Sequence, residues 1–362
     1  MLNRDGVFCA LALAMTLAVG CGSSDTSDTS GGGGEGGTTS SSETTDSTTE
    51  STTTSSSTTG AGGGLTCENE EGVVVAVSEL SFGDGASGEW KKLGFDIDGK
   101  ESTSISMDLC QLNTDASSIG PYPDGDGGID NSFGKNLLPL ILSLYPTWVS
   151  DINAGILDGY FTSLMKMECL PPTGDVAKFN SKLFGGTTLD TPPKFDGTDK
   201  WPVAPELLSD PMDPLSSTVN FDNSSVVGAQ FDTGTGGTFI LTVPLKTQTA
   251  STTIKLTLYS ARVTMTLSED RKSATGGVIG GVLNTEELVA EIRKVGVLLD
   301  LCGTDVFENI LDEVRRASDI LSDGTQDTEK TCDGISIGLG FEMKPAQIGE
   351  VGPESPVGMA CP

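Results

Sequence analysis

Residues 22–64 are the strongest constraint on what this 362-residue chain can fold into. The stretch is almost entirely Ser, Thr, Gly, Asp and Glu, with no Lys, Arg or aromatic residue. It has too little apolar surface to offset the entropy of ordering a chain, so its composition predicts a disordered tether. A Gly/Ser-like coil of this length reaches about 35–40 Å. Repulsion among Asp25, Asp28, Glu35, Glu43, Asp46 and Glu50 extends it further. Core formation is thereby confined to residues 65–362, enough for one large β domain or two smaller ones.

What precedes the tether explains why a tether is needed. Arg4 opens the chain, an apolar run follows from Val7 to Val19, and the run ends Leu17-Ala18-Val19-Gly20-Cys21. The run is too short to span a bilayer as a mature helix and reads as a secretion signal over residues 1–20. The small residues before Cys21 resemble the lipobox of bacterial lipoproteins, with Leu17 one place early. The resemblance implies that Cys21 becomes the acylated N-terminus of the mature protein and that the lipid bilayer is its first partner. Several acyl chains anchor firmly, at about 0.8 kcal/mol per buried CH₂. Gly22, where an Asp would retain an enteric lipoprotein at the inner membrane, implies the outer membrane and the cell surface. Residues 21–64 are then the acylated cysteine and its tether.

Net charge is −30, and most of it lies beyond the tether. Such a domain is repelled by nucleic acid and by anionic lipid surfaces, and it suits divalent cations. The chain has no histidine, which removes Ser-His-Asp and Cys-His catalysis and histidine metal sites together. With Cys9 in the signal and Cys21 acylated, six cysteines remain: Cys67, Cys110, Cys169, Cys302, Cys332 and Cys361. An even number in an exported chain, with no CxxC, implies disulfides. Several connectivities are open. The preferred pair is Cys302–Cys332, because the segment between them reads as one helix with converging flanks. Cys67–Cys361 at the domain ends and Cys110–Cys169 would complete the set.

Strand signals dominate the remainder. Val73–Phe82 and Lys91–Ile97 read as strands, and Gly159–Leu170 as another. Residues 171–215, broken by Pro and Gly, read as loop. Phe239–Leu245 and Ile254–Leu258 alternate, and the alternation changes phase before Ala261, which predicts a bulge near Ser260. Thr275–Leu283 and Ile335–Met343 complete the strands. Helical spacing appears over residues 136–153, where Pro146 should kink or split the helix. It appears again after Asn284 and after Thr304, with Gly324 as the last stop. Without a βαβ rhythm, the pattern predicts a mainly β fold: an antiparallel β-sandwich decorated by about three α-helices.

Two acidic segments carry the candidate chemistry. In Asp124-Gly125-Asp126-Gly127-Gly128-Ile129-Asp130-Asn131, short acids alternate with glycines that let the backbone turn oxygens toward a hard cation such as Ca²⁺. The segment is not an EF-hand. Gly128 and Ile129 replace a ligand and the turn glycine, and Lys135 stands where a closing Glu belongs. Read on a strand, Asp96 and Asp98 share one face and could join Asp124, Asp126 and Asp130 in one calcium site. Asp196-Gly197-Thr198-Asp199 followed by Trp201 is a third acidic turn, of the kind that contacts sugars. Ser163-Leu164-Met165-Lys166 has S-x-x-K spacing but lies in a strand-like run and lacks its partner motifs.

Gly94–Gly99, Cys110 and Asp124–Gly134, in that order, are similar to segments of surface lipoproteins of the myxobacterial type. That resemblance implies export and anchoring and groups the two acidic segments in one unit. It transfers no catalytic residue. The leading expectation is a non-enzymatic surface lipoprotein that binds an extracellular or periplasmic ligand, a glycan among the candidates, with Ca²⁺ ordering a loop. The alternative is an extracellular polymer hydrolase working through a carboxylate pair.

Overall fold

The computed structural model describes residues 72–85, 88–113, 122–246, 251–355 and 358–362. Signal, Cys21, tether and Cys67 all lie outside the described residues. Strands β1 (Val73–Ser81), β2 (Thr162–Met167) and β3 (Val176–Gly186) follow one another as an antiparallel meander. β5 (Val219–Val227) pairs with β3, and β6 (Gln230–Asp232) pairs with β5. The 17-residue β8 (Ser251–Leu267) takes β6 on one edge and β9 (Ala274–Asn284) on the other. β10 (Gly334–Pro345) then pairs with both β9 and β1.

These pairings form a ring: β1, β2, β3, β5, β6, β8, β9, β10 and back to β1. Every step is antiparallel. The fold is mainly β and mostly antiparallel, and the two facing layers that alternating strands require belong to one sheet that returns on itself. Closure gives every strand of the ring a neighbour on each side, although β10 is paired with β1 only from Gly340 onward. Three further strands are attached to it. β7 (Gly237–Lys246) lies along β8 beside β6, and β4 (Lys200–Val203) joins the end of β3 and pairs in parallel with β11 (Gln347–Val351).

The main core includes Met165, Leu183, Phe231, Leu258, Val263 and Ile337, all essentially inaccessible to water. Four helices add apolar faces to it: α1 (Leu138–Leu144), α2 (Trp148–Leu157), α3 (Thr285–Leu298) and α4 (Asp305–Arg316). Pro146 does split the first helical segment, in the gap between α1 and α2. Asn284 caps α3 by accepting the Glu286 and Glu287 N–H groups, and Thr304 caps α4 through Phe307 N–H. A smaller core on another face of the sheet holds Ala76, Leu164, Phe184 and Trp201.

Three local expectations are corrected. Residues 171–215 contain β3 and β4. The sequence hides β3 because bulges between Val176 and Phe179 and between Phe179 and Ser181 break its period of two. α4 stops at Arg316, because Ile320 bridges back to Gly334 of β10 and draws the chain out of the helix. Disulfides join Cys110 to Cys332 and Cys302 to Cys361, and Cys169 is also disulfide-bonded. The expected pairs Cys302–Cys332, Cys67–Cys361 and Cys110–Cys169 therefore do not form. Cys302 lies in the turn between α3 and α4, ahead of the first residue of α4. The C-terminal segment reaches that turn, held by Cys361 N–H on Arg293 O at 3.0 Å.

Candidate functional site

The two acidic segments meet. Phe95 and Asp130 form an isolated antiparallel bridge, with Asp130 N–H on Phe95 O at 2.9 Å. Lys91–Ile97 is therefore not a strand. A 3-10 turn over Glu89–Lys92 leads into the single bridge. Gly94 sits at φ 123°, and a Cβ there would lie 3.0 Å from Asp130 O. Phe95 is fixed from its other side by Arg262, whose guanidinium carbon is 4.9 Å from the ring centroid and which also forks onto Asp232. Asp126 N–H donates to Lys91 O at 2.8 Å and Gly125 N–H to Ile129 O at 2.7 Å, so the Asp/Gly segment is folded tightly against the turn.

This pairing brings Asp96, Asp98 and Asp130 together, with one carboxylate oxygen of each lying within 4.8 Å of the others. Asp130 is buried, Asp98 half-buried and Asp96 exposed. Asp130 Oδ2 accepts from Ile97 N–H at 2.7 Å and Asp98 N–H at 3.4 Å, and Oδ1 has no hydrogen-bond donor among the described residues. Gly128 lets the segment pass close by, since a Cβ there would be 3.3 Å from the Asp96 carboxyl carbon. Of the other predicted ligands, Asp124 adjoins the group, and its carboxylate accepts Ser102 N–H. Asp126 is exposed and stands outside the triad.

The electrostatics show a group of acids short of positive charge. Burial, with Asp98 beside it, pushes the Asp130 carboxyl up to about 9. Burial raises Asp124 to about 6, and the charges of Asp98 and Asp96 work in the same direction. Lys100 is turned away onto Asp108 at 2.7 Å. Lys135 donates to Pro123 O at 2.8 Å and lies 5.3 Å from the Trp90 ring centroid; its own burial lowers its pKa. One carboxylate oxygen from each of Asp96, Asp98 and Asp130 converges, and oxygen donors of this kind are what a hard cation could use, although Asp96 and Asp98 each also accept a backbone N–H, from Gly99 and Lys100.

Sequence reasoning missed two residues that shape this region. Gln326 donates to Asp98 Oδ2 at 2.8 Å and accepts Cys110 N–H at 2.8 Å, tying the triad to the Cys110–Cys332 disulfide. Asp319 accepts both Ser336 N–H (2.9 Å) and Ser336 Oγ–H (2.6 Å), and burial raises its carboxyl to about 7. Neither position has a local signal, because each acts across about two hundred residues of chain or on a strand edge formed only on folding. Asp124 and Asp319 also line a cavity of about 10 Å³, the space of about one water.

The other candidate motifs resolve as structure. Trp201 is completely buried in the smaller core, so it offers no ring to a sugar; Asp196 and Asp199 bond the local backbone at Thr198 and at Lys194 and Phe195. Ser163 and Lys166 lie three apart on β2 and therefore on opposite faces, which rules out an S-x-x-K pair.

The chain matches no protein-family model, no curated protein and no solved structure. The functional argument therefore rests on the site itself. No helix among the described residues is long and apolar enough to cross a membrane.

Proposed function

We propose that this chain is an exported surface lipoprotein, held at the outer membrane by acyl chains on Cys21, that presents its β domain on a long tether as a calcium-ordered binding module. The observation that carries the calcium part is the convergence of Asp96, Asp98 and Asp130 from two segments more than thirty residues apart. Like charges brought together at partial burial oppose folding unless a cation or protons offset them. A divalent ion bridging the triad converts that cost into a link between the 93–102 and 122–132 segments. Anchoring rests on the apolar run ending at Cys21 and on the tether that follows it.

The hydrolase reading has less support. Of the acids the sequence offers for such a pair, Asp196 and Asp199 bond the local backbone, and the cavity that Asp124 lines is too small for a sugar ring.

The test is thermal unfolding of the full chain with calcium and with excess EDTA, in the natural sequence and in Asp130→Asn. Calcium at about a hundredfold its Kd adds about 2.7 kcal/mol to the folded state. That increment should be present in the natural sequence and lost in the variant. Equal melting temperatures with calcium and EDTA would remove the ion from the proposal. Membrane fractionation of Cys21→Ser tests the anchor: release of the chain from the membrane is expected, and retention would refute acylation there.

A further inference from the structure

Asp98 leads into a loop whose two ends are both held close to the acidic triad. At the near end Ser102 N–H donates to the Asp124 carboxylate. At the far end Gln326 donates to Asp98 Oδ2 at 2.8 Å and accepts Cys110 N–H at 2.8 Å, and Cys110 is linked to Cys332. Lys100 braces the two ends across the loop by donating to Asp108 Oδ2 at 2.7 Å. Between them Ser106 N–H closes a turn on Thr103 O at 3.1 Å.

The braced turn carries apolar side chains into solvent. Ile105 is 85 % exposed and Met107 is 91 % exposed. Exposed apolar residues scattered singly are ordinary on a surface. Here two of them stand two residues apart, on a turn pinned at both ends and without charge over residues 103–107. Ile105 is three residues from Ser102, so it lies within about 11 Å of the point where the loop meets Asp124.

The triad beside this tip leaves a bound ion with positions to fill. Calcium takes about six to eight oxygens, and Asp96, Asp98 and Asp130 bring one converging oxygen each. Asp96 is exposed and Asp98 half-buried, so the triad is open to solvent on their side. Phosphate oxygens are hard donors of the kind the ion takes. A phospholipid surface presents phosphates with an acyl boundary about 5–8 Å beneath them, a depth that a three-residue projection spans. We propose that the 103–107 turn and the calcium-loaded triad together dock the domain on a phospholipid surface. Lipid phosphate completes the ion's coordination, and Ile105 and Met107 enter the acyl boundary. This rests on the calcium reading and gives that site a partner. Without the ion the contact fails, because the chain carries a net −30, with exposed Glu101 and Asp108 flanking the tip, and repels phosphate.

The experiment is flotation of the full chain as Cys21→Ser, which removes the acylation site, with vesicles of phosphatidylcholine alone and of phosphatidylcholine mixed with phosphatidylglycerol, in calcium and in EDTA. Ile105→Ser/Met107→Ser in that background removes the apolar tip and leaves every acid in place; both side chains are exposed, so the fold does not depend on them. Flotation with the mixed vesicles in calcium and none in EDTA is expected. The double variant should bind at least about tenfold more weakly and keep an unchanged calcium-induced rise in melting temperature. Flotation that persists in EDTA, or that survives the double variant, overturns the docking surface. Failure to float while calcium still raises the melting temperature overturns the docking and leaves the calcium reading standing; no rise in melting temperature overturns both. Self-association in calcium without vesicles, abolished by the double variant, would assign the tip to a second copy of the chain and overturn the lipid assignment.

Discussion

Asn131 pairs with Gly338 as a neighbouring strand would: its Oδ1 accepts Gly338 N–H at 3.1 Å and its Nδ2 donates to Gly338 O at 3.3 Å. The reason lies in the ladder. β1 pairs with β10 only as far as Ser81 opposite Gly340, so β10 from Gly334 to Leu339 has no strand on that edge. Asn131 and Asp319 satisfy the exposed backbone there, Asp319 through Ser336 N–H. Gly338 must be glycine, because a Cβ would collide with Leu93 O. The acidic segment is thus clipped to the sheet by the residue next to its buried acid.

Asn131→Ala should be among the most damaging single substitutions in the domain. Asn131 also donates to Trp90 O and Leu93 O and accepts Gly134 N–H. Losing these leaves buried backbone groups without partners, at about 2–4 kcal/mol. Urea unfolding checks this; a loss under about 1 kcal/mol would show that water replaces the amide.

Stability in EDTA should fall as pH rises from about 4 to about 7. The folded Asp319 carboxyl, raised to about 7, holds a proton that the unfolded chain releases near the ordinary value of 3.8. The folded state binds more protons across that window, so raising the pH favours unfolding. Asp319→Asn should flatten the slope, by at most about 4 kcal/mol over the window. Melting temperatures of both proteins across that range decide it; parallel profiles would place the titration elsewhere.

Peptide mapping without reduction should yield linked peptides containing Cys110 with Cys332 and Cys302 with Cys361. The first pair spans 222 residues and the second 59. Chain entropy sets ceilings of about 5 and about 4 kcal/mol for their contributions. The Cys110→Ala/Cys332→Ala double variant should therefore lose more stability than Cys302→Ala/Cys361→Ala. The reverse order would indicate that structure remaining in the unfolded chain governs the difference.

Asp300→Gly should stabilise the protein by about 0.5–1 kcal/mol. Asp300 follows the end of α3 at φ 55°, is exposed, and places a negative charge at the negative end of the helix. Glycine removes both penalties. Chemical denaturation measures the gain, and a loss would mean that the Asp300 side chain holds the α3–α4 turn.

Much was legible in the sequence where the signal is local. The Asn284 cap, the split at Pro146 and the phase change at Ser260 each act within a few residues. Period-two alternation in β7, β8, β9 and β10 was enough to specify a mainly β, mostly antiparallel fold. The bulged β3 hid its strand because its period is broken. Disulfide partners, closure of the sheet through β3 and β5, and the meeting of Asp96 and Asp98 with Asp130 are long-range relationships. They depend on where a strand edge ends and which segment fills it. Spacing could put Asp96 and Asp124 forward as candidates for one site, but only the unpaired edge of β10, filled by Asn131 and Asp319, settles that the two acidic segments face each other.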